Sequence, residues 1–121
     1  MATYTKTPLS QATTGIPIAA GATGGVGTNG TTIHATGTSG IDEIWLYANN
    51  TSTSPVLLTV QFGGTGSVQH AKPITLAPQS GDVLIVAGLP LTGTGSAATT
   101  TYAFAATASV ITISGYVNRI A

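Results

Sequence analysis

Charged side chains are scarce in this sequence. Of its 121 residues, three are Lys or Arg and three are Asp or Glu, so charged residues make up 5% of the chain and the formal net charge is zero. An average soluble domain carries about 25% charged residues. Like-charge repulsion between copies is therefore weak, and protein–protein interfaces are themselves depleted of Lys, Glu and Asp. We predict that much of the surface lies in contacts between subunits; the alternative is a monomer whose surface is rich in Thr and Gly.

The lack of positive charge argues against nucleic acid as a partner. Lys6, Lys72 and Arg119 are the only Lys or Arg residues, and affinity for a phosphate backbone comes largely from these two residue types. Long apolar runs are also missing: residues 82–91 form the longest, and it falls short of the ~18 residues that a membrane-spanning helix needs. The N-terminus lacks the basic and apolar regions of a signal peptide. We therefore expect synthesis in a cytoplasm and no membrane partner.

Residues suited to catalysis or metal binding are equally few. There is no cysteine, which removes thiol nucleophiles and thiolate ligands. Asp42 and Glu43 are adjacent in a predicted strand, so their side chains point to opposite faces and cannot form a catalytic pair. His34 and His70 are the only imidazoles, and we expect both at a surface or a subunit contact. We predict a protein that is not an enzyme and has no catalytic residue, metal or cofactor; an enzyme would need Asp82 or a histidine in a pocket.

The chain does contain short β-forming segments separated by turns rich in Gly, Asn and Ser. No stretch has the 3.6-residue period and the caps of a helix. This pattern predicts an all-β fold, a single antiparallel β-sandwich over residues 16–121, preceded by a polar N-terminal arm or loose edge strand over residues 1–15. The expected strands are residues 16–20, 31–36, 41–50, 55–62, 67–76, 82–87, 99–105 and 109–118.

Two of these segments have the clearest pattern. Residues 41–50 are rich in aromatic and branched side chains, and residues 55–62 alternate between apolar and mixed positions. We predict that they are antiparallel neighbours joined by a loop of about five residues. Trp45 and Tyr47 share one face of the first segment while its other face is also apolar, so this strand should be central or covered by a partner subunit. The continuous apolar run of residues 82–87 should be covered on both sides.

Two stretches together resemble small virion structural proteins of tailed bacteriophages, over roughly residues 41–121: Ile41-Asp-Glu-Ile-Trp-Leu-Tyr-Ala-Asn-Asn-Thr-Ser and Val110-Ile-Thr-Ile-Ser-Gly-Tyr-Val-Asn-Arg-Ile. The resemblance implies β-sandwich or jelly-roll subunits that decorate or cement a capsid, commonly as trimers. It implies that the partners are further copies of the chain and the major capsid protein, and that the protein resides in the virion. A tail or head–tail adaptor component is the alternative within this class. The resemblance transfers no ligand and no catalytic residue.

Five residues are predicted to make interface contacts: Tyr4, Pro8, Leu9, Trp45 and Tyr47. The first three belong to the N-terminal arm, which we expect to become ordered on a neighbouring shell subunit. Trp and Tyr are favoured at interface hot spots, which points to Trp45 and Tyr47. The competing interpretation is a carbohydrate-binding module, in which the rings of Trp45 and Tyr47 lie exposed on a concave face and stack on sugars.

Overall fold

The computed structural model describes residues 4–9, 16–17, 31–62, 71–107 and 110–120, which form strands and connecting loops without any helix. The all-β prediction is confirmed for these residues. Within them lie nine strands: β1 (Tyr4–Pro8), β2 (Ile16–Pro17), β3 (Thr31–Ala35), β4 (Ile41–Asn50), β5 (Val56–Phe62), β6 (Ala71–Leu76), β7 (Val83–Thr92), β8 (Thr100–Ala105) and β9 (Ile111–Ile120).

The strands form two antiparallel sheets. The first has the order β1-β9-β4-β7, and the short β2 also pairs with β9; the second has the order β3-β8-β5-β6. Between β3 and β9, every connection passes from one sheet to the other except the β5–β6 hairpin. Strands that are adjacent in sequence are therefore mostly not adjacent in a sheet.

One hydrophobic core takes side chains from both sheets, as in a sandwich. Ile44 and Leu46 of β4, Leu58 of β5 and Ile113 of β9 are all fully buried there. Along β4 every second residue is buried and those between are mostly half-exposed, which is the period-2 pattern of a strand with one face on a core. Each such Leu or Ile contributes about 1.5–3 kcal/mol through burial.

The prediction that β4 and β5 are neighbours is wrong. They belong to different sheets, and residues 51–55 carry the chain across. Asn50 holds this crossing together: its Nδ2 donates to the carbonyl oxygens of Ser54 (2.9 Å) and Leu76 (3.1 Å), and its Oδ1 accepts from the backbone N–H of Ser52 (3.0 Å). Each strand buries one apolar face, and strands that face each other across a core have the same alternation as strands lying side by side. The sequence pattern could not separate the two arrangements.

The prediction that residues 82–87 are covered on both sides is also wrong. The strand extends over Val83–Thr92 and lies at the end of the first sheet's strand order. Leu84 is 46% exposed and Leu89 is 39% exposed. The strand continues through Pro90. Proline has no N–H to donate, and an edge strand tolerates this because it has no second neighbouring strand to bond. An apolar run is therefore not sufficient evidence of a central strand.

The second sheet ends in β6, which contains Pro73. Proline cannot donate to the hydrogen-bond ladder of a sheet, which fits the position of this strand at an edge.

Part of the predicted N-terminal arm is a strand. Residues 4–8 pair antiparallel with residues 116–120 of β9, so this part matches the edge-strand alternative. Residues 1–3 and 10–15 lie outside the described residues, and the division into an arm over residues 1–15 and a domain over residues 16–121 stays a prediction. No helix long and apolar enough to cross a membrane occurs in the described part of the chain.

Candidate functional site

The outward surface of the first sheet brings side chains from distant parts of the sequence into rows. Residues that lie opposite each other in antiparallel strands project to the same side of a sheet. Three successive rows across β1, β9 and β4 are Tyr4–Ile120–Ile41, Lys6–Asn118–Glu43 and Pro8–Tyr116–Trp45. We call the surface formed by these rows, together with the adjoining β7, the outer face. Two of its three rows contain only apolar and aromatic side chains, and among them Tyr4 is 73% exposed and Ile41 37% exposed.

The aromatic rings of the outer face are packed against each other. The ring centroids of Trp45 and Tyr116 are 6.3 Å apart and their planes differ by 12°. Lys6 Nζ, from the strand on the other side of β9, lies 4.6 Å from the Tyr116 centroid, in cation–π geometry. Gly88 of β7 approaches the indole closely, because a Cβ at this position would lie 3.0 Å from Trp45 Cζ2. The two rings, with Lys6 on one side and Gly88 on the other, therefore form a continuous layer across four strands.

This packing bears on sugar stacking, which requires an open aromatic face. Tyr116 has Lys6 on one side and Trp45 on the other, and Trp45 lies between Tyr116 and Gly88. Trp45 and Tyr47 are half-buried, whereas the carbohydrate interpretation requires them to be exposed. The geometry does not favour a carbohydrate platform.

Glu43 supplies the negative charge of the outer face. Its Oε1 accepts hydrogen bonds from Trp45 Nε1 at 2.9 Å and from Asn118 Nδ2 at 3.2 Å. The bond from Trp45 and then that from Asn118 lower the pKa of Glu43 below its ordinary value, against a smaller opposing effect of burial. Glu43 is therefore an anion at neutral pH. Neither Glu43 nor Lys6 takes part in an ion pair within the described residues.

A second cluster lies on the inner side of the same two strands. Asp42 of β4 accepts two bonds from Arg119 of β9, from Nε to Oδ1 and from Nη2 to Oδ2, both 2.8 Å long. Its Oδ2 is also 2.7 Å from Nε2 of His34, which lies on β3 in the other sheet. Because a carboxylate only accepts, His34 Nε2 carries the hydrogen and donates it. This cluster therefore ties the two sheets together.

Burial and charge act in opposite directions on Asp42. Removal from water is the largest influence and raises its pKa. The hydrogen bonds and positive charge of Arg119 and the bond from His34 together outweigh it, so the pKa of Asp42 is lowered from the usual 3.8. Asp42 is accordingly a buried carboxylate that stays ionised because it is paired.

The inner cluster contains the residue types of an acid–base site but not its accessibility. The side chains of His34 and Asp42 are 1% and 3% exposed, while Arg119 is 39% exposed. A substrate cannot reach the imidazole without opening the core. The expectation that His34 lies at a surface or a subunit contact is wrong, because it is buried against Asp42; His70 lies outside the described residues. The prediction that Asp42 and Glu43 face opposite ways is confirmed, since one is buried and the other half-exposed.

A groove of about 470 Å³ lies between β7 and the second sheet. It is lined by Val60, Phe62 and Ile74 on one side and by residues 85–90 of β7 on the other. None of these residues has a polar side chain, so the groove offers no side-chain hydrogen bond to orient a polar ligand.

The predicted interface residues fall in two environments. Tyr4, Pro8 and Trp45 lie in the rows of the outer face, and Tyr47 points to the same side further along β4. Leu9 is instead part of the core, with 3% exposure, so in this fold its side chain is not available to a shell subunit.

Sequence reasoning missed Lys6, Tyr116 and Asn118 as members of this surface. The partners of β4 residues on β9 are about 70 residues away in sequence, and only the strand register shows which side chains become neighbours.

In the part of the chain that is described, no three His, Cys, Asp or Glu side chains come together as a possible metal site. Comparison of the chain with family models, with curated proteins and with solved structures gives no match. Function must therefore be argued from the geometry and from the sequence.

Proposed function

We propose that this chain is a non-enzymatic structural component of a virus particle, a decoration protein that stabilises the head of a tailed phage by protein–protein contacts. The resemblance of residues 41–121 to small virion proteins of tailed phages supports this assignment. The partners would be further copies of the chain and the major capsid protein, and the protein would reside in the virion.

We also infer that the fold is a jelly roll. The support is the strand order, β1-β9-β4-β7 in one sheet and β3-β8-β5-β6 in the other, with the chain crossing between sheets at most connections. Jelly rolls have eight main strands in two sheets and recur in viral capsid domains. The fold alone does not determine function, so it supports the proposal without carrying it.

The observation that carries the proposal is the apolar character of the outer face. An antiparallel sheet that packs one face on a core usually presents a polar face to water. Here the row with exposed Tyr4 and Ile41 and the row with Trp45 and Tyr116 lie on either side of a single polar row. Exposed apolar surface of this kind points to a site of protein association.

The distribution of charge strengthens the argument. Of the three acidic and three basic residues, Asp42 and Arg119 neutralise each other at the inner cluster. The surface therefore carries even less charge than the composition indicates. Such a surface can be covered by protein at a small desolvation cost, because few ions must leave water.

The test is to image tailed-phage particles assembled with and without the chain by electron microscopy, and to compare their resistance to heat. We expect added density on the outside of the head and a loss of heat resistance when the chain is omitted. Density in the tail would assign the chain to the adaptor class instead. Purified particles that never contain the chain would reject the virion role.

A further inference from the structure

We propose that the outer face binds a second copy of this chain, so that two subunits pair face to face about a two-fold axis that runs parallel to the strands. The inference deepens the proposed structural role, because it names the surface through which copies associate. It rests on the rows of side chains, on the two charges among them and on the area of the face.

The two charges determine how two copies can pair. Lys6 on β1 and Glu43 on β4 occupy one row on opposite sides of β9, so the face carries one cation and one anion. A two-fold axis perpendicular to the strands and in the plane of the interface would lay β1 over β1, with Lys6 near Lys6 and Glu43 near Glu43. An axis parallel to the strands exchanges the two sides of the face instead. Only the parallel axis makes the charge pattern complementary to itself.

Placing this axis midway between β9 and β4 gives the largest overlap. It lays β9 of one copy over β4 of the other, and β1 over β7. Lys6 then comes opposite Pro90 of the second copy, which is the β7 neighbour of Glu43. In the second copy, Pro90 and Glu43 lie one strand spacing apart, about 4.8 Å. The Lys6 side chain of the first copy can span this distance. Because of the symmetry, this contact forms twice.

The same axis brings apolar side chains onto apolar side chains, because every row faces the same row of the second copy. Ile41 of one copy meets Ile120 of the other, and Trp45 of one copy meets Tyr116 of the other, because each of these pairs shares a row. Tyr and Trp are the side chains that dominate interface energies when they are desolvated at the centre of a patch. The charged row lies between the two apolar rows, so its ion pairs form in surroundings from which most water is excluded.

The area of the face fits a specific but modest interface. Three of its strands have ten residues and β1 has five; with a rise of about 3.4 Å and a spacing of about 4.8 Å, they cover about 570 Å² in projection. Two such faces bury at most about 1,100 Å² in total, just below the ~1,200 Å² at which the range for stable complexes begins. We therefore expect a pair that dissociates on dilution.

The test is a charge exchange followed by sedimentation of the full chain. Lys6→Glu places two carboxylates together at each contact, and Glu43→Lys places two ammonium groups together, so each should raise the dissociation constant of the pair at least about tenfold. The double variant Lys6→Glu/Glu43→Lys should restore pairing. Within one subunit the two side chains lie two strand spacings apart, about 10 Å, so a restored fold alone would not explain such a rescue.

Two controls keep the result interpretable. Asp82→Lys changes an exposed charge that precedes β7 and lies off the overlapping area, and it should leave pairing unchanged. Far-ultraviolet circular dichroism establishes that each variant is folded. Trp45 is the only tryptophan, so its fluorescence should shift as the wild-type pair is diluted, with the midpoint that sedimentation gives.

Three results would overturn the pairing: a wild-type chain that stays monomeric, a trimeric mass as the resemblance implies, or a pair that both single variants leave intact. None of these results removes the virion role by itself. A monomer or a trimer that still decorates particles would reject only the two-fold pair, whereas a chain that pairs but never enters particles would reject only the virion role.

Discussion

Replacing Asp42 by asparagine removes the anion of the inner cluster while keeping nearly the same side-chain volume. Arg119 then loses its counter-ion, and His34 loses the carboxylate that accepts its hydrogen bond. Removing one member of a buried ion pair costs about 3–5 kcal/mol. We expect the lower end, about 3 kcal/mol, because the guanidinium is 39% exposed and water can solvate it.

The assay is reversible unfolding, followed by urea or heat with Trp45 fluorescence as the probe. For a domain of this size, 3 kcal/mol corresponds to a fall of about 10–15 °C in Tm. Glu43→Gln is the matched control, because it neutralises the adjacent carboxylate on the other side of the strand and keeps an acceptor for the bond from Trp45. Its midpoint should stay close to that of the wild type. If both variants behave alike, burial and pairing do not set the contribution of Asp42.

The wild type and Asp42→Asn can also be compared as a function of pH. The pKa of Asp42 is lower in the folded chain than the 3.8 of an unperturbed aspartate, so the folded state favours the ionised form. Its contribution to stability is complete well above 3.8 and is lost as the pH falls through the folded pKa. The stability gap between wild type and Asp42→Asn should therefore shrink between about pH 5 and pH 2. A gap that stays constant over this range would show that the carboxylate charge is not responsible.

Two other substitutions test the packing. Gly115→Ala should destabilise the fold strongly or prevent folding, since its Cβ would clash with the backbone oxygen of Trp45. A variant with the wild-type Tm would refute the close approach of β9 to β4. Thr101→Val should raise the free energy of unfolding by about 1 kcal/mol, because among the described residues the buried Thr101 hydroxyl has no hydrogen-bond partner. Chemical denaturation measures this change. A loss of stability would mean that the hydroxyl does make a hydrogen bond.

Local pattern predicted the strands well and their partners poorly. The alternation in residues 41–50 and 55–62 located β4 and β5, because side-chain period depends only on neighbouring residues. Which sheet each strand joins depends on pairing between distant segments, and both strands satisfy the same alternation in either arrangement. The prediction that β7 is covered on both sides was wrong for the same reason, since apolar content does not reveal whether a strand has one neighbour or two.

The candidate site was predictable only in part. The sequence placed Asp42 and Glu43 on opposite faces, which the structure confirms; the interface role of Trp45 stays a prediction. The sequence could not show that Arg119, 77 residues away, pairs with Asp42, or that His34 completes the cluster from the other sheet. It also placed Leu9 in a contact arm, although Leu9 belongs to the core. Charge pairs and cross-strand contacts depend on register, which composition and spacing do not encode.

The two clusters are linked because the same register of β4 against β9 produces both. On the inner side this register pairs Asp42 with Arg119, and on the outer side it stacks Trp45 on Tyr116. A slip of one residue would exchange the two faces of the strand, moving the ion pair into water and the rings into the core. A slip of two residues would keep the faces but break both contacts and move Gly115 from beneath the Trp45 carbonyl. The ion pair of buried Asp42 with partly exposed Arg119 therefore helps to hold the alignment on which the outer face depends, which gives a chain with so few ionic groups a reason to keep this pair.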